Sequence, residues 1–213
     1  MSNKFQHRKR KIPTMLRNIL ELDVRVTKIF VRSVENVMPK LKLYYKMLEI
    51  SCHGIIWIAS LLACIWIFNS KSLYQMQVNL LVALILDIIV IAILKSSTRR
   101  RRPAVNDDPF SIGPDKYSFP SGHASRSMLV LYFFKYLWPV PDICLSLISI
   151  WVFVLVMSRL LMRRHYILDI IAGLFVGYLQ GMLMSFLYLE PETCSNLVYW
   201  ITDEKLDGAE YDV

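Results

Sequence analysis

The chain has 213 residues, 55% of them hydrophobic, a formal net charge of +8 and a mean hydropathy of +0.40. Uncharged stretches near twenty residues long point to an integral membrane protein and exclude an ordinary soluble domain. Cys52, Cys64, Cys144 and Cys194 lack the paired spacing of a zinc site or a disulfide framework, so they read as small buried hydrophobes.

Residues 1–49 make a basic amino-terminal region, with twelve Lys/Arg against four Asp/Glu. No continuous apolar core interrupts it, so no cleavable secretory signal is visible and a cytosolic amino terminus is expected. Leu16, Ile19, Leu20, Val26, Phe30, Val34 and Val37 recur at three- to four-residue steps, with Arg17, Glu21, Arg25, Lys28, Arg32 and Glu35 on the other face. This pattern predicts an amphipathic helix lying in the headgroup plane. A surface helix packed on the membrane domain has the same periodicity and stands as the other reading. The His7 to Lys11 cluster (HRKRK) reads as a positive-inside or anionic-lipid anchor, with nuclear import as the alternative.

Residues 50–189 read as one all-α membrane domain, a polytopic bundle of five spanning helices. Ile50 to Phe68 and Ile170 to Leu189 carry no charge, and Met76 to Leu94 carries only Asp87. In Ile143 to Leu161 the one charge, Arg159, falls in the last turn, while the fifth span, Ser121 to Trp138, is short and interrupted by Lys135. A carboxylate within a span costs several kcal/mol unless paired or protonated, so Asp87 is expected to face the bundle interior. It either supports the substrate-binding side, two i,i+4 steps from Lys95, or is neutral and hydrogen-bonded. Gly173, Gly177 and Gly181 form a ridge of small residues suited to close helix packing, within the chain or between copies. Residues 190–213 carry seven acids and one lysine and are expected to be a loosely ordered acidic tail.

Five spans put the amino terminus, the Lys95 to His123 segment and the Met162 to Tyr166 turn on one side of the membrane. That side holds nearly all the basic charge, which makes it cytosolic.

Three segments at span ends carry groups suited to gripping a phosphate ester: KSSTRRRRP at Lys95 to Pro103, PSGH at Pro120 to His123, and SRLLMRRHYILD at Ser158 to Asp169. Hydrolysis without a metal requires cations and amide donors around the phosphate oxygens, an in-line nucleophile and an acid for the departing oxygen. Lys95 and Arg102 bring two charges from a helix end and its adjoining loop. Ser121 and Gly122 sit in a turn that opens a helix, where an anion can bind, and Arg159 adds a bidentate donor. His165 and Asp169, four apart, are expected on one helical face, the carboxylate holding one ring nitrogen while the other attacks phosphorus. His123, on a separate segment, suits the general acid. The loop acids Asp107, Asp108 and Asp115 also admit a metal-site reading; the bland one is solvation.

The ordered set Lys-x6-Arg-Pro, Pro-Ser-Gly-His and Ser-Arg-x5-His-x3-Asp resembles the signature of the type-2 phosphatidic acid phosphatase superfamily, which includes lipid phosphate phosphatases, the glucose-6-phosphatase catalytic subunit and vanadium haloperoxidases. It spans about a third of the chain. The flanking RRRRPA and DKYSFPSGHA look like the polyisoprenoid diphosphate phosphatase branch, whose vertebrate member acts on presqualene diphosphate. The resemblance implies a helical, metal- and cofactor-independent phosphohistidine enzyme with His165 as nucleophile, Asp169 as its partner, His123 as acid, and Lys95, Arg102, Ser121, Gly122 and Arg159 holding phosphate. The implied partners are a lipid phosphate and the bilayer, not nucleic acid, and the implied address is the endoplasmic reticulum and nuclear envelope. Phosphatidic acid-type monoesters are the alternative substrates. A haloperoxidase and a catalytically silent scaffold on the same fold are the competing classes. Oligomeric state is not encoded in any of these patterns.

Overall fold

A computed structural model describes residues 13–35, 42–104 and 116–202. Helices α1 (Thr14–Glu35), α2 (Lys42–Ser51), α3 (Gly54–Phe68) and α4 (Lys71–Thr98) lead to the first phosphate-type segment. Then come α5 (Gly122–Tyr132), which runs into a π-helical turn at Phe133–Leu137, α6 (Asp142–Leu161), α7 (Ile167–Leu187) and α8 (Pro191–Thr202). No strand forms among the described residues; the one extended feature is an isolated bridge between Arg101 and Tyr117.

By length and apolarity α4, α6 and α7 can each cross a membrane, and α2 with α3, bent by 54° at a short break, can make a fourth crossing. The sequence leads one to expect five. The difference lies in α5: eleven α-helical residues and a five-residue π turn make a rod of about 24 Å, short of a ~30 Å hydrocarbon core. Its apolar run is also broken by buried Ser125, Arg126 and Ser127. It is an interior helix, packed closest against α7.

The glycine ridge explains that packing. A Cβ at Gly173 would lie 2.5 Å from the Ser121 carbonyl oxygen, and those at Gly177 and Gly181 would collide with the Ser125 backbone and the Tyr132 ring. The ridge is therefore filled from within the chain. Leu61, Leu80, Leu84, Val130 and Phe133 form the core between α3, α4 and α5. Alongside it, a groove of about 330 Å³ between α3, α5 and α6 is walled by Trp57, Val130, Phe134 and Trp151.

Asp87 faces the interior, and its charge partner is Arg126 at 3.1 Å. The Ser125 hydroxyl donates to it at 2.5 Å and Gln180 at 3.5 Å, so this one carboxylate joins α4, α5 and α7. Arg126 also donates to the Cys52 carbonyl at 2.9 Å, fixing the α2–α3 bend to α5.

The two ends of the chain differ from the sequence expectation. On α1, Asp23, Thr27 and Val31 are buried, and Phe30 packs on Ala124, Leu160 and Ile170. A neighbouring apolar row, Met15, Ile19, Leu22, Val26 and Ile29, stays exposed. The helix thus docks on the bundle along one stripe and leaves an apolar stripe beside it uncovered by protein. The acidic tail, expected to be loose, begins with α8, because Cys194 and Val198 stand one turn apart and bury against Ile65, Tyr74 and Val78. Cys64 is half-buried and Cys144 exposed; all four cysteines are free. The His7 to Lys11 cluster, Val37 and the acids at 107, 108 and 115 lie outside the described residues.

Candidate active site

The first segment leaves α4 through Arg99, whose left-handed backbone (φ 52°) closes the helix with an N–H to Lys95 carbonyl bond. Lys95 is buried, and its Nζ lies 3.9 Å from where a Gly122 Cβ would stand. Beyond the cap the chain is laced to residues 117–119. The Ser118 N–H donates to the Arg100 carbonyl at 2.8 Å, the Thr98 hydroxyl to the Phe119 carbonyl at 2.8 Å, and Arg102 Nε to the Tyr117 carbonyl at 3.4 Å.

That lacing delivers the second segment. A cis peptide precedes Pro120, and Ser121 is the N-cap of α5, its Oγ accepting from the Ala124 N–H at 3.4 Å. The sequence offered Ser121 and the free amides of this turn to an anion. One of those amides is already engaged: the Ser121 N–H donates to the Asp169 carbonyl at 2.9 Å, which pins the turn to α7. His123, in the first turn, has Nε2 3.2 Å from the Glu49 carbonyl oxygen. A carbonyl only accepts, so this nitrogen carries the proton.

The third segment closes the site. Arg159, buried near the end of α6, donates through Nη1 to Glu49 Oε1 at 3.0 Å and through Nη2 to the Tyr45 carbonyl at 3.3 Å. A turn with Arg163 in the left-handed region (φ 53°) then brings His165 down before α7 starts at Ile167. This corrects the spacing argument. His165 precedes the helix, so no shared helical face sets its place; Nδ1 still stands 3.9 Å from Asp169 Oδ2, while its nearer partner is the Ser118 carbonyl oxygen at 2.8 Å. The Ser118 carbonyl therefore fixes the proton on Nδ1 and leaves the Nε2 lone pair. Asp169 instead caps its own helix, Oδ2 accepting from the Tyr166 N–H at 2.9 Å, and takes Arg100 on Oδ1 at 2.6 Å.

The three segments share one electrostatic field. His123 feels Arg159, Arg126, His165 and Lys95, and His165 feels Arg102, Asp169 and Lys95. Burial, reinforced by the positive charge of Arg102 and Lys95 and opposed by Asp169, holds the His165 imidazole down at about 4 against an ordinary 6.5. It is neutral at physiological pH. Two neutral rings among three cations make a cradle suited to a phosphate. Among the described residues no group of three or more His, Cys, Asp or Glu is placed to hold a metal.

Sequence reasoning missed Ser118, Glu49, Arg100, Arg126, Asp23 and Thr27. Arg126 carried the same signal as Asp87, a charge inside an apolar run, and Asp23 falls on the apolar sector of α1; Ser118 acts through its backbone and carries none.

The sequence model of the PAP2 superfamily matches residues 77–190, a stretch that contains all three segments. A probable lipid phosphate phosphatase beta from Arabidopsis thaliana is 31% identical over 140 residues, covering 53% of this chain and 66% of that protein, just under two thirds of its length. The crystal structure of Aquifex aeolicus LpxE superposes with a TM-score of 0.56 at 20% identity, covering 73% of this chain and 92% of that one, which is a likeness of fold.

Proposed function

Because the chain belongs to the PAP2 superfamily, we propose that it is a metal-independent membrane phosphatase that hydrolyses lipid phosphates, with presqualene, farnesyl or geranylgeranyl diphosphate as its substrates. The observation that carries this reading is the Ser118 carbonyl 2.8 Å from His165 Nδ1, which leaves Nε2 as a neutral nucleophile among the cations. His165 Nε2 attacks phosphorus as the bond to the leaving oxygen breaks; His123, neutral in the empty site, takes up a second proton on Nδ1 when the negatively charged phosphate binds, gives that proton to the leaving oxygen and returns to the neutral ring. Water then attacks the phosphohistidine, releasing phosphate and returning a proton to His123. Lys95, Arg102, Ser121, Gly122 and Arg159 hold the phosphate oxygens, and Asp169 braces the nucleophile's turn.

Two further features favour a lipid. Val130 lies two turns beyond His123 on the same face of α5, so the apolar groove begins about 10 Å from the acid and can take a hydrocarbon tail. The exposed apolar row of α1 suits a helix lying in the headgroup plane. The basic side faces the cytosol in this reading, on the endoplasmic reticulum and nuclear envelope. A second reading, phosphatidic acid-type monoesters, is favoured by the Arabidopsis relative's description as a probable lipid phosphate phosphatase.

The test is phosphate release in detergent with EDTA from farnesyl diphosphate, presqualene diphosphate and phosphatidic acid. Release from the diphosphates, inhibition by vanadate and loss in His165→Ala support the proposal. Preference for phosphatidic acid selects the second reading, and no release from any of the three leaves a silent scaffold.

A further inference from the structure

The groups that most directly brace the third segment come from a helix about 140 residues earlier in the chain. Ile167 and Leu168 open α7, and their N–H groups have no acceptor within that helix. Both are satisfied by α1: the Ile167 N–H donates to Thr27 Oγ1 at 3.2 Å and the Leu168 N–H to Asp23 Oδ1 at 3.1 Å. The other oxygen of Asp23 takes Arg100 Nη2 at 2.6 Å, and Arg100 Nη1 reaches Asp169 Oδ1 at 2.6 Å. The same guanidinium lies 4.3 Å over the ring of Tyr166, the residue next to His165.

We propose that Asp23 and Thr27 of α1 are positioning residues for the hydrolytic site, fixing the His165 to Asp169 turn by capping α7 and by holding Arg100 against Asp169. The inference rests on the phosphatase reading for what the turn does once fixed. Docking alone does not explain the pair. Both side chains are buried within the apolar sector of α1, where an unbonded polar group is costly and a Leu or Val would pack as well. An acid at the start of α7 also suits the positive end of that helix. Arg100 needs both carboxylates: with Asp23 neutral, its charge falls on Asp169 alone and its second fork has no partner of opposite sign. The geometry of the nucleophile's turn therefore depends on the helix whose apolar row is left for the membrane surface.

The experiment uses the full chain in detergent with farnesyl diphosphate. Asp23→Asn keeps an acceptor for Leu168 but removes the charge that holds Arg100; Thr27→Val keeps shape and removes the cap. Each is expected to lower kcat about 10- to 100-fold while KM moves less than about twofold, and Thr27→Ser is expected to restore kcat. In an Arg100→Gln background Asp23→Asn should add little, because its charge acts through Arg100. Independently of turnover, hydrogen exchange at the amides of Ile167 and Leu168 should quicken in Thr27→Val. Wild-type kcat in both single variants, or failure of Thr27→Ser to rescue, overturns the proposal, as does unchanged exchange. If the wild-type chain releases no phosphate from any lipid phosphate, the phosphatase reading has failed instead, and the exchange measurement alone decides whether α1 caps α7.

Discussion

Glu49 grips Arg159 through a 3.0 Å ion pair in which both side chains are almost out of water. Its second oxygen holds Lys46 at 3.1 Å. A phosphate entering the cradle must compete with that carboxylate for the guanidinium. Glu49→Gln keeps a hydrogen-bond acceptor and removes the competing charge, so vanadate should inhibit several-fold more tightly. The same change weakens a buried pair and should cost about 1–3 kcal/mol of stability. Inhibition titrations beside thermal melts check both, and an unchanged vanadate constant would sink the competition argument.

The depressed His165 fixes the acid side of the pH profile. In the proposed mechanism this ring must be neutral to attack, so its own protonation should lower kcat/KM only as pH drops through about 4. Stability follows the same group. Above its unfolded value of 6.5 the imidazole is neutral in both states; between 6.5 and about 4 only the unfolded chain binds the proton, so stability falls as pH falls through that window. The loss attached to this one residue is of order 3 kcal/mol. Melts of wild type and His165→Asn across the window check it, and parallel curves would contradict the assignment.

Asp87 and Arg126 should fail separately and recover together. Removing one partner of a buried pair leaves an uncompensated charge, at about 3–5 kcal/mol. Asp87→Asn and Arg126→Gln should each lower the melting temperature and the yield, and the pair Asp87→Leu with Arg126→Met should recover most of the loss. Turnover should fall with Arg126→Gln even where protein survives, because Arg126 ties the Cys52 bend to α5 one turn from His123. Unchanged yield and turnover in Asp87→Asn would remove any need for its charge.

What the sequence makes legible here is whatever is written in side-chain type and local spacing. Lys95, Arg102, His123, Arg159 and His165 stand at the ends of apolar runs, and the structure brings those ends together because α4, α6 and α7 are long enough to return them to one side. Ser121 is a helix N-cap, as a Pro-Ser-Gly turn implies. The i,i+4 argument for His165 and Asp169 places them on one helical face, whereas the helix starts only at Ile167; the two groups stand 3.9 Å apart all the same. The nearer partner of Nδ1 is a carbonyl, which every residue has, so only the tertiary lacing of residues 117–119 to 98–102 selects Ser118. Glu49 precedes the first apolar run with nothing local to mark it; it is singled out only by its burial against Arg159, 110 residues later in the chain. The count of five is not reached at α5, already the shortest of the expected spans, because its helix is too short to cross and is buried against α7.

The glycine ridge gives a test of whether α7 must lie against the Pro-Ser-Gly-His turn. In an isolated helix Gly→Ala is favourable by about 1 kcal/mol, so propensity alone predicts that Gly173→Ala stabilises. Packing predicts the reverse. The new methyl would sit 2.5 Å from the Ser121 carbonyl oxygen and 3.0 Å from the Ala124 Cβ, and the first of these is backbone that cannot swing aside. α7 would have to retreat from α5, lengthening the 2.9 Å Ser121 to Asp169 bond that ties the Pro-Ser-Gly-His turn to α7, the helix that follows the proposed nucleophile. Overpacking of this kind costs about 1–3 kcal/mol, enough to outweigh propensity. Gly173→Ala should therefore melt earlier and lose kcat, whereas Phe175→Ala, on the outward face of the same helix and 61% exposed, should do neither. If the ridge served to pair two copies of the chain, Gly173→Ala would change the size of the particle in detergent and leave the turnover of a monomer intact. Light scattering and turnover on the same preparation separate the two, and a fully active, wild-type-stable Gly173→Ala would show that the close approach of α7 to the turn is not required.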